Sequence, residues 1–197
     1  MENPSKVRQR HRKEAIEMPS EIIFERLGLL AELARQARLG RTALMKILFF
    51  LQESRGVPLD YQFSLYSYGP FDSDVLSDIS WAERLNVLKS TTVYYPSGIG
   101  YEYSRGTGVD SLGDLAEEFV KTYQGDIKWA LDHFSRKTAA ELELLSTILY
   151  VAKYQNPKTV DKLIEQVELV KPHFSQDQVR GGFNELVGLN VLRAQAA

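Results

Sequence analysis

The chain has 197 residues and a mass of 22.4 kDa, enough for one mid-sized domain or two small ones. It is 44% hydrophobic and 25% charged, which is typical of a folded globular protein. The 24 Lys and Arg residues nearly balance the 26 Asp and Glu residues, so the net charge of −2 does not by itself favour nucleic acid or an anionic membrane as a partner. There is no Cys, which excludes disulfides, thiol nucleophiles and thiolate zinc sites.

The sequence also indicates where the protein resides. The longest apolar run, residues 47–51, is far shorter than the ~20 residues that a membrane-spanning helix needs. The basic N-terminus is not followed by the apolar run of a secretory signal. We therefore expect a cytoplasmic protein with no membrane partner.

Residues 1–17 are basic and contain few apolar side chains, so we predict a flexible arm. Its cations are Lys6, Arg8, Arg10, Arg12 and Lys13. Such an arm either binds nucleic-acid phosphates or serves as a solubilising tail, and the sequence leaves both open.

Two helices are predicted at the start of the folded part. Apolar residues recur at helical spacing from Glu21, and Gly40 is predicted to close this helix. The second helix is predicted to begin after the N-cap candidate Thr42 and to stop at Gly56.

A strand, a turn and a third helix are expected next. Apolar and polar residues alternate over residues 61–66, which predicts a half-buried strand. Residues 68–71 (Tyr-Gly-Pro-Phe) predict a turn, since proline has no N–H to continue a strand ladder. Asp72 or Ser73 is expected to cap the third helix, which is predicted to run to Leu88.

A β-hairpin is predicted to follow the third helix. Residues 91–95 and 101–104 are β-prone, and residues 96–100 read as the loop between them. Helix, helix, strand, helix and hairpin is the element order of a winged helix-turn-helix domain. We therefore predict a mainly α fold with a small β-hairpin wing, and we assign the winged-helix module to residues 18–110.

The remaining chain is predicted to be helical. Residues 111–137 are assigned to connecting helices, and residues 138–197 to a C-terminal tri-helical module of the helix-turn-helix type. Its three helices have N-cap candidates at Thr138, Thr159 and Ser175. The first and last of these have the Glu or Gln three residues later that completes a capping box.

The two halves share a short repeat. Residues 85–88 and 189–192 both read Leu-Asn-Val-Leu, and each follows the third helix of its half. We infer two related tri-helical modules, the second nearly without a wing.

Three segments resemble a known family. They are residues 40–47 (Gly-Arg-Thr-Ala-Leu-Met-Lys-Ile), the segment from Phe63 to the Tyr-Gly-Pro-Phe turn at residues 68–71, and the helix that ends in Leu-Asn-Val-Leu. Together they resemble the YwgA-like proteins of bacteria and, more distantly, the Panacea domains of SocA-like antitoxins, which share the Tyr-Gly-Pro turn. The resemblance covers roughly residues 22–123. It implies a winged-helix-like protein that binds a toxin or regulatory partner and catalyses nothing.

The sequence carries no catalytic or metal-binding motif. Its three histidines (His11, His133 and His173) are far apart and lack the spacing of a metal-binding helix. No nucleophile elbow, phosphate loop or kinase signature is present. We predict a protein that is not an enzyme and that uses no cofactor or metal.

Clustered aromatic residues favour a protein interface. Seven of the ten tyrosines lie between residues 61 and 103, and strand alternation prevents all of them from pointing inward. Either they form an exposed interface or they complete the core of the first module, and both readings stay open. The interface candidates are Tyr66, Tyr68, Phe71, Trp81, Tyr94 and Tyr101.

A DNA-binding winged-helix transcription regulator is the alternative function. Its recognition helix would be the third helix, which carries four acids (Asp72, Asp74, Asp78 and Glu83) and Arg84. Acids that face phosphates oppose binding, so the cations of the arm are the nucleic-acid candidates. Another protein is the first-choice partner and duplex DNA the alternative, while a homodimer is left open.

Overall fold

The computed structural model of the protein describes residues 21–95 and 98–193, so the basic arm and its five cations lie outside the described residues. The helices in the described part are α1 (Glu21–Gln36), α2 (Arg41–Arg55), α3 (Ser73–Arg84), α4 (Asp114–Thr122), α5 (Gln124–Phe134), α6 (Ala139–Tyr150), α7 (Val160–Val170) and α8 (Gln176–Gly188). The strands are β1 (Leu39–Gly40), β2 (Ser64–Tyr66), β3 (Gly69–Phe71), β4 (Leu88–Tyr95) and β5 (Gly98–Arg105). A 3₁₀ turn lies at Gly108–Leu112 and a π-helical turn at Val151–Gln155. The predicted mainly α fold with a small antiparallel sheet is confirmed.

The strands form two small antiparallel sheets. The larger has the order β1-β5-β4, with Leu39 opposite Tyr103 and Leu88 opposite Arg105. The smaller pairs β2 with β3. The hairpin loop is shorter than the predicted 96–100, because Gly98 is already paired with the end of β4.

Helix α2 lies at the centre of the molecule. Residues 44–51 are buried at every position, so α2 is covered on all sides rather than along one stripe. It packs against α5 and α6, while α1 packs against α3 and α4. Buried apolar residues from Leu27 to Leu186 belong to one connected core. The division into modules stays a prediction.

The predicted junction between the first two helices is wrong. Helix α1 ends at Gln36, and the chain then extends through β1, which pairs with β5. Gly40 is therefore the N-cap of α2, and Thr42 lies inside that helix. Long-range strand pairing has overridden the local capping signal.

The third helix ends earlier than predicted, at Arg84. Asn86 adopts a left-handed conformation with φ of 56°, and the Val87 N–H donates to the Ala82 carbonyl at 2.8 Å. These are the features of a Schellman cap. Leu88 therefore begins β4 instead of ending the helix.

The second copy of the Leu-Asn-Val-Leu repeat forms the same cap. Asn190 has φ of 57°, and the Val191 N–H donates to the Leu186 carbonyl at 2.9 Å. The repeat is thus a shared way of ending a helix.

The predicted turn at residues 68–71 is partly a strand. Residues Gly69–Phe71 form β3, in which Pro70 stands opposite Leu65. Pro70 is tolerated because this sheet has only two strands, so each strand is an edge strand. The predicted alternation holds upstream, where Tyr61 is buried and Gln62 exposed, although regular pairing begins only at Ser64.

The predicted N-caps of the later helices are confirmed. The side chains of Thr138, Thr159 and Ser175 each accept a bond from a backbone N–H in the first helical turn. Both capping boxes are complete. Asp72 caps α3 in the same way.

Candidate functional site

Three of the aromatic interface candidates meet at the turn between β2 and β3. Ser67 and Tyr68 connect these strands. The Tyr66 and Tyr68 side chains are 61% and 76% exposed. The ring centroid of Tyr66 lies 5.2 Å from that of the half-buried Phe71. The turn therefore presents two tyrosines to solvent, and Tyr66 is supported by the ring of Phe71.

Gly69 places this turn directly against α6. Its φ of 84° is a conformation that side-chain-bearing residues rarely adopt. A Cβ at this position would lie 3.2 Å from both Ser146 Oγ and Thr147 Oγ1. Glycine thus meets two requirements here, the backbone conformation and the close approach.

Two buried lysines, here called the lysine pair, hold the backbone of the turn. Lys46 on α2 donates to the Pro70 carbonyl at 2.5 Å. Lys171, after α7, donates to the Tyr66 carbonyl at 3.1 Å and also to the Ser67 carbonyl. The two lysines are only 3% and 2% exposed. Elements from both halves of the chain therefore converge on one turn.

A single buried carboxylate balances the lysine pair. Glu143 on α6 is 7% exposed, and its Oε1 lies 2.7 Å from Lys171 Nζ and 3.5 Å from His173 Nε2. The contact with Lys171 is an ion pair without good hydrogen-bond geometry, because the ammonium group is directed at the carbonyls. Burial lowers the pKa of Lys46 to about 8, and the positive charge of Lys171 adds to this effect while Glu143 opposes it.

The lysine pair and Glu143 position the backbone of the β2–β3 turn. Both lysine nitrogens already donate to backbone carbonyls, so neither is presented as a nucleophile. Burying charged groups is costly unless they are paired and hydrogen-bonded. Here the ammonium groups satisfy carbonyls that would otherwise lack donors.

Exposed apolar residues from α7 extend the surface of the turn. Leu169 is 82% exposed and Val170 is 38% exposed. They directly precede Lys171, which binds the carbonyls of Tyr66 and Ser67. The end of α7 therefore lies beside the turn, a neighbourhood that the sequence analysis missed.

The candidates on the β4–β5 hairpin share a different surface. Tyr94 stands opposite Ile99, and the register places Tyr101 and Tyr103 on the same face as Ile99. Exposure on this face rises from 1% at Tyr103 to 45% at Tyr101 and 80% at Tyr94. The guanidinium carbon of Arg41 lies 5.6 Å from the ring centroid of Tyr101. An apolar face thus runs from the core to the exposed tip of the hairpin.

Trp81 stands apart from the other candidates. It is 46% exposed on α3, and the Arg84 guanidinium lies 5.3 Å from its ring centroid. Among the described residues, it makes no ring contact with the tyrosines. The six candidates therefore lie in three places rather than one.

Two of the four acids of the third helix point inward. Asp78 is 4% exposed, accepts a bond from Tyr61 Oη at 2.8 Å and lies 3.6 Å from Arg26 Nη1. Burial raises the pKa of Asp78, while Tyr61 and Arg26 oppose that rise. Asp72 uses its carboxylate to cap α3 through the Asp74 N–H. Of the four acids of the third helix, Asp72 and Asp78 are therefore engaged within the fold rather than presented to a partner.

The lysine pair and Glu143 are not predicted by any pattern considered in the sequence. One signal was present, because Lys46 interrupts a long apolar stretch of α2. No local pattern marks Lys171 or Glu143, whose partners come from distant parts of the chain.

Within residues 21–95 and 98–193, no cluster of three or more His, Asp or Glu side chains is arranged to hold a metal ion. None of the helices in this part of the chain has the length and apolar character needed to cross a membrane. No family model and no curated protein matches the chain. The resemblance to the YwgA-like proteins and the Panacea domains therefore stays a prediction.

Proposed function

We propose that this protein is a non-enzymatic, cytoplasmic protein-binding module, antitoxin-like or an adaptor, that recognises a toxin or regulatory partner. One observation carries the proposal. Tyr66 and Tyr68 are exposed on a turn whose backbone is held by two buried lysines. Exposed tyrosines are common anchors of protein interfaces. A backbone that is already held in place loses less entropy on binding, which favours affinity.

The arrangement of the elements supports a winged-helix assignment for residues 18–110. The order α1, β1, α2, β2, β3, α3, β4, β5, in which the β2–β3 pair lies between α2 and α3 and the larger sheet is ordered β1-β5-β4, is compatible with such a module. In the second half, α8, the last of the three helices α6, α7 and α8, ends in the same Asn-containing cap as α3, which supports a related helix-turn-helix-like unit at residues 138–197. The Tyr-Gly-Pro turn resembles that of the Panacea domains of SocA-like antitoxins, and this resemblance favours a protein partner.

The experiment begins with a pull-down of the tagged full-length chain from its native cell extract, with nuclease added. A retained protein is then purified and titrated against wild type and a Tyr66→Ala/Tyr68→Ala variant. We expect the double variant to lose more than about 1 kcal/mol of binding free energy for each anchoring tyrosine. Tyr154→Ala is the control, because Tyr154 is 52% exposed but lies on the π-helical turn after α6. Equal binding by both variants would remove the turn as the interface.

Duplex DNA remains a second candidate partner because α3 is less acidic on its outer face than its sequence suggested. Of the three Asp residues, only Asp74 is exposed, and Arg84 is exposed on the same helix. DNA binding would fall steeply with salt and would be lost on deletion of residues 1–13, which carry the cations of the arm. Absent or salt-insensitive binding eliminates this candidate.

A further inference from the structure

A groove separates the β4–β5 hairpin from the amino ends of α2 and α6. It encloses about 890 Å³, within the usual range for ligand pockets. Its hairpin wall is formed by Ile99 and Tyr101, which are 65% and 45% exposed. Ala43 and Leu142 line the helical side. The groove is thus an open cleft with apolar walls.

Unpaired positive charge lies at the rim of this groove. Arg38 and Arg41 are exposed, and neither forms an ion pair with a carboxylate of the described residues. Arg35 on the preceding helix, in contrast, is paired with Glu32 at 2.7 Å.

Two further features leave the charge of the groove uncompensated. The first turn of α2 has no acidic residue and no side-chain cap, and it begins with a cation where an anion would be favourable. Glu102 is the one carboxylate among the described lining residues, and it is already engaged. Among the described lining residues, the two arginines therefore face a single carboxylate.

We propose that this groove binds an extended acidic segment of a partner protein. Carboxylates of the segment pair with Arg38 and Arg41, and an apolar side chain packs against Ile99. A peptide is favoured over a nucleic acid because the walls are largely aliphatic and offer one ring, Tyr101, for stacking.

The proposal is independent of the β2–β3 turn, because the groove and the turn share no lining residue. A random peptide library displayed on phage is selected against the full-length chain. We expect enriched peptides to carry Asp or Glu close to an apolar residue. One selected peptide is then synthesised with a fluorescent label, and its affinity is measured by anisotropy.

Charge reversal provides the decisive comparison. Arg38→Glu/Arg41→Glu is expected to lower affinity for the selected peptide by about tenfold or more. This variant should fold, since Glu suits position 41 in the first turn of α2 and residue 38 is exposed outside the helices. The control Lys158→Glu/Arg193→Glu changes charge equally at exposed residues outside the groove and should bind as wild type does. The Tyr66→Ala/Tyr68→Ala variant should also retain the peptide, which separates this site from the turn.

Four results would overturn the proposal. The selected peptides could lack acidic residues, or the reversal of Arg38 and Arg41 could leave peptide affinity unchanged. Alternatively, a single-stranded oligonucleotide could bind in the same arginine-dependent way while the acidic peptides do not, which would assign the groove to nucleic acid. Sedimentation showing that the same reversal converts a dimer into a monomer would assign it to a second copy of this chain.

Discussion

Replacement of Lys171 by methionine tests whether the lysine pair stabilises the fold. Lys171→Met keeps an unbranched side chain of similar length but removes the charge and the donors. The carboxylate of Glu143, 7% exposed, then loses the cation at 2.7 Å. The carbonyls of Tyr66 and Ser67 lose their shared donor. The substitution therefore removes the nearest cation from a buried carboxylate and the lysine donor from two carbonyls.

The structure sets the size of the effect. Breaking a buried ion pair by removing one partner costs about 3–5 kcal/mol. The ammonium of Lys46 still acts on Glu143, so we expect a loss near the lower end, about 3 kcal/mol. Removing the carboxylate as well, in Lys171→Met/Glu143→Leu, should reduce the loss to about 1–2 kcal/mol. The two carbonyl bonds remain broken, while Lys46 loses both the attraction of Glu143 and the repulsion of Lys171, which act in opposite directions.

The free energy of unfolding is measured by urea denaturation followed by far-UV circular dichroism. Lys158→Met is the control, since Lys158 is exposed, and it should change stability by less than about 0.5 kcal/mol. A loss below about 1 kcal/mol for Lys171→Met, or a double variant less stable than the single, would refute the reasoning, because either result means that Glu143 is not stranded.

Three further predictions concern the same region. The pKa of Lys46 is about 8 in the folded protein and about 10.5 in the unfolded chain. Because the unfolded chain binds the extra proton between these pH values, the free energy of unfolding should rise over that range by up to about 3 kcal/mol relative to Lys46→Met. The comparison with the variant matters because the raised pKa of Tyr61 lowers stability above pH 10 in both proteins. Gly69→Ala should cost about 1–2 kcal/mol in urea unfolding from its positive φ alone. Tyr68→Ala should change the unfolding free energy by less than about 0.5 kcal/mol, whereas Tyr103→Ala, buried to 1% exposure, should cost about 3–5 kcal/mol. Similar losses for the two tyrosines would mean that Tyr68 belongs to the core.

Local signals in the sequence predicted helix starts well wherever the capping partner is close in the chain. Thr138 and Ser175 bond to N–H groups three residues away, so a short window contains the whole interaction. The start of α2 was mispredicted because its determinant is remote. Gly40 is extended through pairing with Glu102, and the local signal at Thr42 cannot compete with that pairing.

The exposed tyrosines and the lysine pair also differ in how far the sequence predicts them. The sequence could predict exposed tyrosines, because successive side chains of a strand point to opposite faces of the sheet. Lys46 could have been flagged as a charge inside an apolar helix, but its acceptor lies 24 residues away and the carbonyl acceptors of Lys171 more than 100. Buried charge needs a partner. A lone lysine in a buried run therefore predicts that a partner exists, and only the tertiary fold shows that the partner is the backbone of the exposed turn.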